Sequence, residues 1–245
     1  MLIIRSNIFN EFPNILFGLS TKIGDEKNIP YYFNMSKSIG DDEERVNKNR
    51  KSFFSKFNLQ PENVIIQKQI HSDIINIVDK PEENLEGDAL ITQTPNLGLA
   101  ISTADCNNIY IYDKSKKVIA AVHSGWRGTE KRILEKTLLK LKEEFKSLPN
   151  DLIVYAAPSI SQENYEVGEE VATKFDEKYL KKSTENKDKF LLDLKLANYD
   201  MLVDFKIPKE NIQLSMMCSY DVKELQSYRR DGKDSGRALG IIVMK

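Results

Sequence analysis

Two histidines, His71 and His123, and two cysteines, Cys106 and Cys218, are the only imidazoles and thiols in this 245-residue chain. His71, Cys106 and His123 stand 35 and 17 residues apart, each where an expected strand meets a loop. Those spacings are too long for a zinc finger and suit a site assembled by tertiary structure. Two imidazoles and one thiolate make a good zinc set. Three protein ligands also leave a fourth position open, the pattern of a catalytic rather than a closed structural site. Three other readings stay open. The residues are plain core histidines and a buried small cysteine. Cys106 and a histidine form a nucleophilic pair, with Asp105 or Gln69 orienting the imidazole. Or Cys218 closes a purely structural metal site in an interaction domain.

Ser124-Gly125-Trp126-Arg127-Gly128 follows His123 and leads into the best helix. Small residues there permit close backbone approach, and Arg127 offers a fork of donors to an anion at the helix start. Trp126 also reads as plain core. Asp105 is positioned to hold its own loop or a ligand imidazole. Between Tyr228 and Arg237, three arginines and two glycines fall in ten residues. That run reads as a solvated turn or as an anion- or ribose-contacting loop.

These residues need a scaffold of short strands. Residues 1–20 begin it with a short strand, a turn near Pro13-Asn14 and an apolar segment at Ile15 to Phe17, and Ser20 to Asp42 is a polar loop. Asp41 to Asn58 has helical periodicity, with acidic residues at its start. Strands are expected at Val64–Ile66, Ile74–Val78, Gly87–Thr92 and Leu97–Ser102. Ile109–Tyr112 and Val118–Val122 form a hairpin that ends at His123. Thr129 to Phe145 is the clearest helix, with Ile133, Leu134, Leu138 and Leu141 on one face. Leu152–Ala156 is a strand, Tyr165–Phe175 a helical region, and Glu177–Lys189 a charged exposed stretch. Leu194–Phe205 is a helix, and Ile212–Met217 and Arg237–Met244 close the chain as strands. The alternation points to an α/β or α+β fold with a mixed sheet core, and nothing divides residues 1–245 into separate domains.

Lys+Arg number 36 against 37 Asp+Glu, which argues against a nucleic-acid binder driven by phosphate neutralisation. No apolar run approaches the roughly 20 residues of a membrane span. No secretory leader is evident, so a cytoplasmic location is expected. No Walker loop or dinucleotide glycine fingerprint occurs.

Several blocks together resemble the YfiH/YlmD family. They are Gln69-Ile70-His71, Glu86-Gly87-Asp88-Ala89, Thr103-Ala104-Asp105-Cys106, Ala121 to Gly128, Tyr165-Glu166-Val167-Gly168, and Ser227 to Gly232 with Gly236-Arg237. The family was long labelled multicopper oxidase or laccase and was later assigned purine nucleoside phosphorylase and adenosine deaminase activity. The resemblance implies a YfiH-like single domain in which His71, Cys106 and His123 bind one zinc ion. It implies purine nucleosides and phosphate as substrates, and a monomer or small homo-oligomer. Arg50 matches an arginine near the family's anion position, although by composition it is an ordinary helix residue. Arg229 and Arg230 fall in the C-terminal block, and Arg230 joins Arg127 and Arg50 as an expected phosphate contact. Asp105, Asp88 and Glu166 are the candidate proton carriers. Ser72 stands where a glycine is common. Asn107-Asn108 replaces the usual apolar–proline pair, a change that bears on pocket shape. Ser159 and Asn164 stand where many members carry cysteines. The laccase label fails on stoichiometry: a type-1 copper plus a trinuclear cluster calls for about ten histidines, and the chain has two.

Overall fold

The computed structural model describes residues 1–82 and 84–245. Its first half runs β1 (Ile3–Ile4), α1 (Asn7–Asn10), β2 (Ile15–Ser20), α2 (Glu43–Ser55), β3 (Val64–Ile66), β4 (Ile75–Ile77), β5 (Ala89–Thr92) and β6 (Gly98–Thr103). There follow β7 (Asn107–Asp113), β8 (Val118–Ser124), α3 (Trp126–Glu130), α4 (Ile133–Phe145), β9 (Leu152–Ala156), β10 (Glu166–Val167) and α5 (Glu169–Ala172). The chain ends with β11 (Leu180–Lys182), β12 (Phe190–Leu192), α6 (Leu194–Asp204), β13 (Ile212–Leu214), α7 (Tyr228–Asp231) and β14 (Ala238–Met244).

Two mixed sheets stack face to face. One has the order β1-β2-β14-β6-β3 and the other β13-β9-β7-β8-β5-β4. Phe17, Ile101, Tyr110, Tyr112 and Ile119 fill the space between them. Helix α2 and the turn that follows it cover the outer face of the first sheet through Phe53, Phe54 and Phe57. Helices α4 and α6 cover the second through Leu134, Leu138, Met201 and Leu202. The layers are therefore helix, sheet, sheet, helix. Every residue of β7 and β8 is buried, because both faces of the second sheet are covered. That is why these strands are mostly continuous apolar runs rather than alternating ones. A small antiparallel sheet, β10-β12-β11, packs its own apolar cluster against Trp126 and Tyr165.

Helix starts follow the sequence. The Asp42 side chain accepts the Arg45 N–H at the start of α2, and Asp193 accepts that of Leu196 at the start of α6. Three expectations need correction. The Thr129–Phe145 helix is two helices, α3 and α4, because Arg132 takes a left-handed conformation between them. Tyr165–Phe175 is not helical throughout: Glu166 and Val167 pair with β12, and only Glu169–Ala172 is α-helix. The Ile212–Met217 strand stops at Leu214.

The site lies at one end of the sandwich, where the chain repeatedly passes between the sheets. It leaves the first sheet after β3 and enters the second at β4, with His71 on the way. It leaves again after β6 and enters at β7, and Ala104-Asp105-Cys106 make that crossing. β8 ends at this same rim, and the return from β13 to β14 passes it through α7.

Candidate metal centre and active site

His71, Cys106 and His123 converge: one ligand atom from each lies within 4.8 Å of the other two. The two imidazole rings stand edge to face, with centroids 5.0 Å apart. In a tetrahedral site with Zn–N of about 2.0 Å and Zn–S of about 2.3 Å, the ligand atoms would be about 3.4 Å apart. Small side-chain movements close that difference.

Each ligand is held differently. His71 has φ of +57°, and Cys106 follows Asp105 at φ of +88°. Both are left-handed turns at a crossing, and Asp and His are among the residues that tolerate that region. The Thr103 hydroxyl donates to the Cys106 carbonyl at 2.8 Å, closing the second crossing. His123 lies inside β8, not beyond its end, and its N–H donates to the Asp88 carbonyl. Its backbone is thus fixed by sheet pairing.

Asp88 organises the group. One carboxylate oxygen lies 2.8 Å from His123 Nδ1 and accepts the His71 N–H at 3.1 Å. The other accepts the Ser72 N–H at 2.6 Å and the Ser72 hydroxyl at 2.7 Å. Asp88 thereby leaves Nε2 of His123 for a ligand, as metal-bound histidines require. Ser72, the departure from glycine, supplies the additional hydroxyl donor. A Cβ on Gly125 would lie 2.9 Å from Cys106 Sγ and 3.3 Å from His71 Cδ2, so this glycine keeps the space beside the group clear.

Burial pushes the Cys106 thiol up, but His123 and then His71 outweigh it and hold the thiol at about 6. Burial pushes His123 down, while Cys106 and Asp88 raise it to about 9. Burial would raise Asp88, yet the donors from His123 and Ser72 bring it down to about 2. The group therefore favours a thiolate beside imidazoles, the state in which a thiol ligates metal.

The other expected site residues divide. Asp105 is buried, but it accepts the Ser219 hydroxyl at 2.6 Å and the Arg229 N–H at 2.7 Å. It holds the C-terminal loop, and Asp88 is the group that orients His123. Glu166 faces the small sheet, bonded to Ser183 and Lys189, and is removed from the list of proton carriers on that ground. Arg127, exposed on the first turn of α3, stacks on Trp126 at 4.2 Å. That helix is only five residues long. Attraction for an anion there comes from the guanidinium rather than from a long helix dipole. Arg230 does not present its fork to the site. It donates to the carbonyls of Ser219, Tyr220, Val222 and Leu225 and pairs with Asp231. Arg50 lies half-buried on α2, donating from Nε to the Met35 carbonyl at 2.7 Å. It lines a groove of about 510 Å³ with Asn47, Phe54 and Ile66. Its link to the site runs through Met35, whose N–H donates to the Arg237 carbonyl. Cys218 is buried apart from the group and accepts the Ser161 N–H, which removes it as a fourth ligand.

Two further arginines of the Tyr228–Arg237 run, expected as a solvated turn or an anion-contacting loop, belong here. Arg229 stacks on Tyr165 at 5.0 Å, and Arg237 on Tyr228 at 5.3 Å. Arg237 lies close enough to Asp105 and Cys106 to feel both. Among the described residues, none of Arg127, Arg229 and Arg237 lies at ion-pair distance from a carboxylate. Unpaired positive charge of this kind suits an anionic ligand. The signal in the sequence was the Gly236-Arg237 pair and the Tyr165 block.

Comparison with known proteins is consistent with this geometry. The pattern of the family described as multi-copper polyphenol oxidoreductase laccase matches residues 17–245. A purine nucleoside phosphorylase of Clostridium acetobutylicum is 42% identical over 180 residues, covering 73% of this chain and 75% of the relative. One from Bacteroides thetaiotaomicron is 34% identical over 254 residues, covering 96% and 94%. The crystal structure of Bacillus licheniformis YfiH superposes with a TM-score of 0.92 at 27% identity, over 99% of this chain and 96% of that one. YlmD from Geobacillus stearothermophilus gives 0.91 at 26% identity, with the same coverage.

Proposed function

The chain belongs to the family described as multi-copper polyphenol oxidoreductase laccase, and from that membership we propose that it is a zinc-dependent purine nucleoside phosphorylase. The relatives named purine nucleoside phosphorylase support the reaction class. The observation that carries the site assignment is the His71–Cys106–His123 group, tied to Asp88 and flanked by arginines whose guanidinium groups, among the described residues, form no ion pair with a carboxylate. Adenosine, inosine, guanosine and methylthioadenosine are the proposed substrates, with phosphate as the second. The proposed location is the cytoplasm, where such substrates occur, and among the described residues no helix is long and apolar enough to cross a membrane.

In phosphorolysis, a phosphate oxygen forms a bond to the ribose anomeric carbon while the bond to the purine nitrogen breaks. The electron pair leaves with the purine, which takes up the proton that hydrogen phosphate gives up on becoming the sugar phosphate. Zinc, held by His71, Cys106 and His123, would supply Lewis acidity. Arg127, Arg229 and Arg237 hold the phosphate against the sugar, supplying orientation and charge. Asp88 orients the His123 imidazole and holds the main chain of His71. With two histidines in the chain, true multicopper oxidation has no ligand set.

Adenosine deamination is the second activity of this reading. It asks for a carboxylate to carry a proton. Asp88 and Asp105 already accept several donors each, so phosphorolysis, which needs no such carboxylate, is the main reaction. A metal-independent hydrolase is the rival favoured by one observation: Cys106, His123 and Asp88 also form a thiol–imidazole–carboxylate relay.

The test incubates zinc-loaded protein with adenosine or inosine, with and without phosphate, and separates the products. Phosphate-dependent adenine or hypoxanthine, lost on chelation and restored by zinc, is the expected result. Absence of product, with His71→Ala indistinguishable from the parent, overturns the proposal. Turnover that survives chelation favours the thiol hydrolase.

A further inference from the structure

Tyr165 opens a block that the proposed reaction leaves without a role. Its main chain is anchored: its N–H donates to the Gln162 carbonyl, and its own carbonyl accepts the Leu192 N–H. Its ring packs beside the cluster of Val167, Val171 and Leu192 and carries the Arg229 guanidinium at 5.0 Å. Arg229 is itself pinned, its N–H to Asp105 at 2.7 Å and its Nη1 to the Asn164 carbonyl at 3.2 Å. Ring, guanidinium and carboxylate thus lead to the residue next to Cys106.

The phenol is half-buried, and among the described residues its hydroxyl makes no hydrogen bond. The charges acting on it belong to Cys106, Arg229, Asp105 and Arg127, all at the mouth of the site. Burial of the ring disfavours a phenolate, so the hydroxyl keeps its proton and can donate it in a hydrogen bond. A fixed, neutral donor with no protein acceptor among the described residues is free to meet an acceptor on the ligand. The arginines meet the phosphate, and a purine ring offers nitrogen and exocyclic oxygen acceptors.

We propose that Tyr165 is the hydrogen-bond donor to the purine of the bound nucleoside, held in position by Arg229 and Asp105. The assignment rests on the phosphorylase reading. As the glycosidic C–N bond breaks, its electron pair passes to the purine. A preorganised donor then binds the transition state better than the ground state.

The experiment compares zinc-loaded parent and Tyr165→Phe, with inosine and with an inosine analogue whose base is more acidic. With inosine, kcat should fall about 10- to 100-fold, while KM for phosphate, zinc content and Tm stay unchanged. With the more acidic base, which leaves readily without help, the fall should shrink to a few-fold. A merely structural residue would depress both substrates equally. A variant within twofold of the parent on inosine, or an equal loss on both substrates, overturns the assignment while leaving the phosphorylase intact. A parent that releases no purine overturns the phosphorylase reading and this assignment with it.

Discussion

Asp88 and His123 are joined twice: the carboxylate lies 2.8 Å from the imidazole Nδ1, and the Asp88 carbonyl accepts the His123 N–H at 2.7 Å. Position and ring orientation of one histidine are therefore set by a single residue at the entrance to the neighbouring strand. The same carboxylate reaches the main chain of His71.

Asp88→Asn should weaken zinc binding about 10- to 100-fold, the usual cost of losing a carboxylate behind a metal-bound histidine. Competition with a chromophoric chelator measures it. Unchanged affinity would remove Asp88 from the metal group.

In metal-free protein, alkylation of Cys106 by iodoacetamide should reach half its maximal rate near pH 6, well below an ordinary thiol. Burial opposes the shift, and His123 followed by His71 produces it. Peptide mass spectrometry across pH 4–9 separates it from buried Cys218. His123→Ala should move the midpoint upward, and a parent midpoint near 8.5 would refute the electrostatic picture.

The Asp88 contact should also appear in acid stability. Its folded value, about 2, lies below the unfolded value of 3.8, so its contribution is full above about pH 4 and lost as pH falls toward 2. The shift corresponds to about 2 kcal/mol. From the other partner, His123 at about 9 lies above its ordinary 6.5, so its contribution is full below pH 6.5 and lost as pH rises through 9. Urea melts of metal-free parent and Asp88→Asn at pH 3, 6 and 9 should show the parent's advantage narrowing at both ends. A constant gap would count against the assignment.

Arg230 and Arg127 should separate stability from function. Arg230→Ala strips donors from four carbonyls in the 219–225 loop and should cost about 2–3 kcal/mol in stability. Arg127→Gln, on an exposed turn, should leave Tm unchanged and raise KM for phosphate several-fold. The opposite pattern would reverse the two roles.

Gly125→Ala should lower zinc affinity at least tenfold, because the new methyl would crowd Cys106 Sγ at 2.9 Å. Direct metal analysis after dialysis decides it, and full retention of zinc would show that the loop yields.

The convergence of His71, Cys106 and His123 was legible in the sequence because the chain has only four imidazoles and thiols, all near strand exits; that Cys218 stands apart from the other three was not. The second, stacked sheet was not, since no periodicity says which sheet a strand joins. His71 and Cys106 lie at passages between sheets, a relationship that exists only once β3, β4, β6 and β7 are paired. Arg230 looked like an anion ligand because its charge is visible in sequence and its four carbonyl partners are not. Arg132 broke the long helix through its left-handed backbone, which its composition does not announce.

The passage from Thr103 to Asn107 acts as a spacer cut to length. Stacked sheets lie about 10 Å apart, and each residue of chain reaches at most about 3.5 Å. Three intervening residues leave little slack, and the Thr103 hydroxyl removes more by tying back to Cys106. The thiol is therefore located by the thickness of the sandwich rather than by the preferences of a loop. Inserting one residue into 104–106 would uncouple Cys106 from both histidines, whereas the turn at 114–116, at the opposite end, has room for a tag.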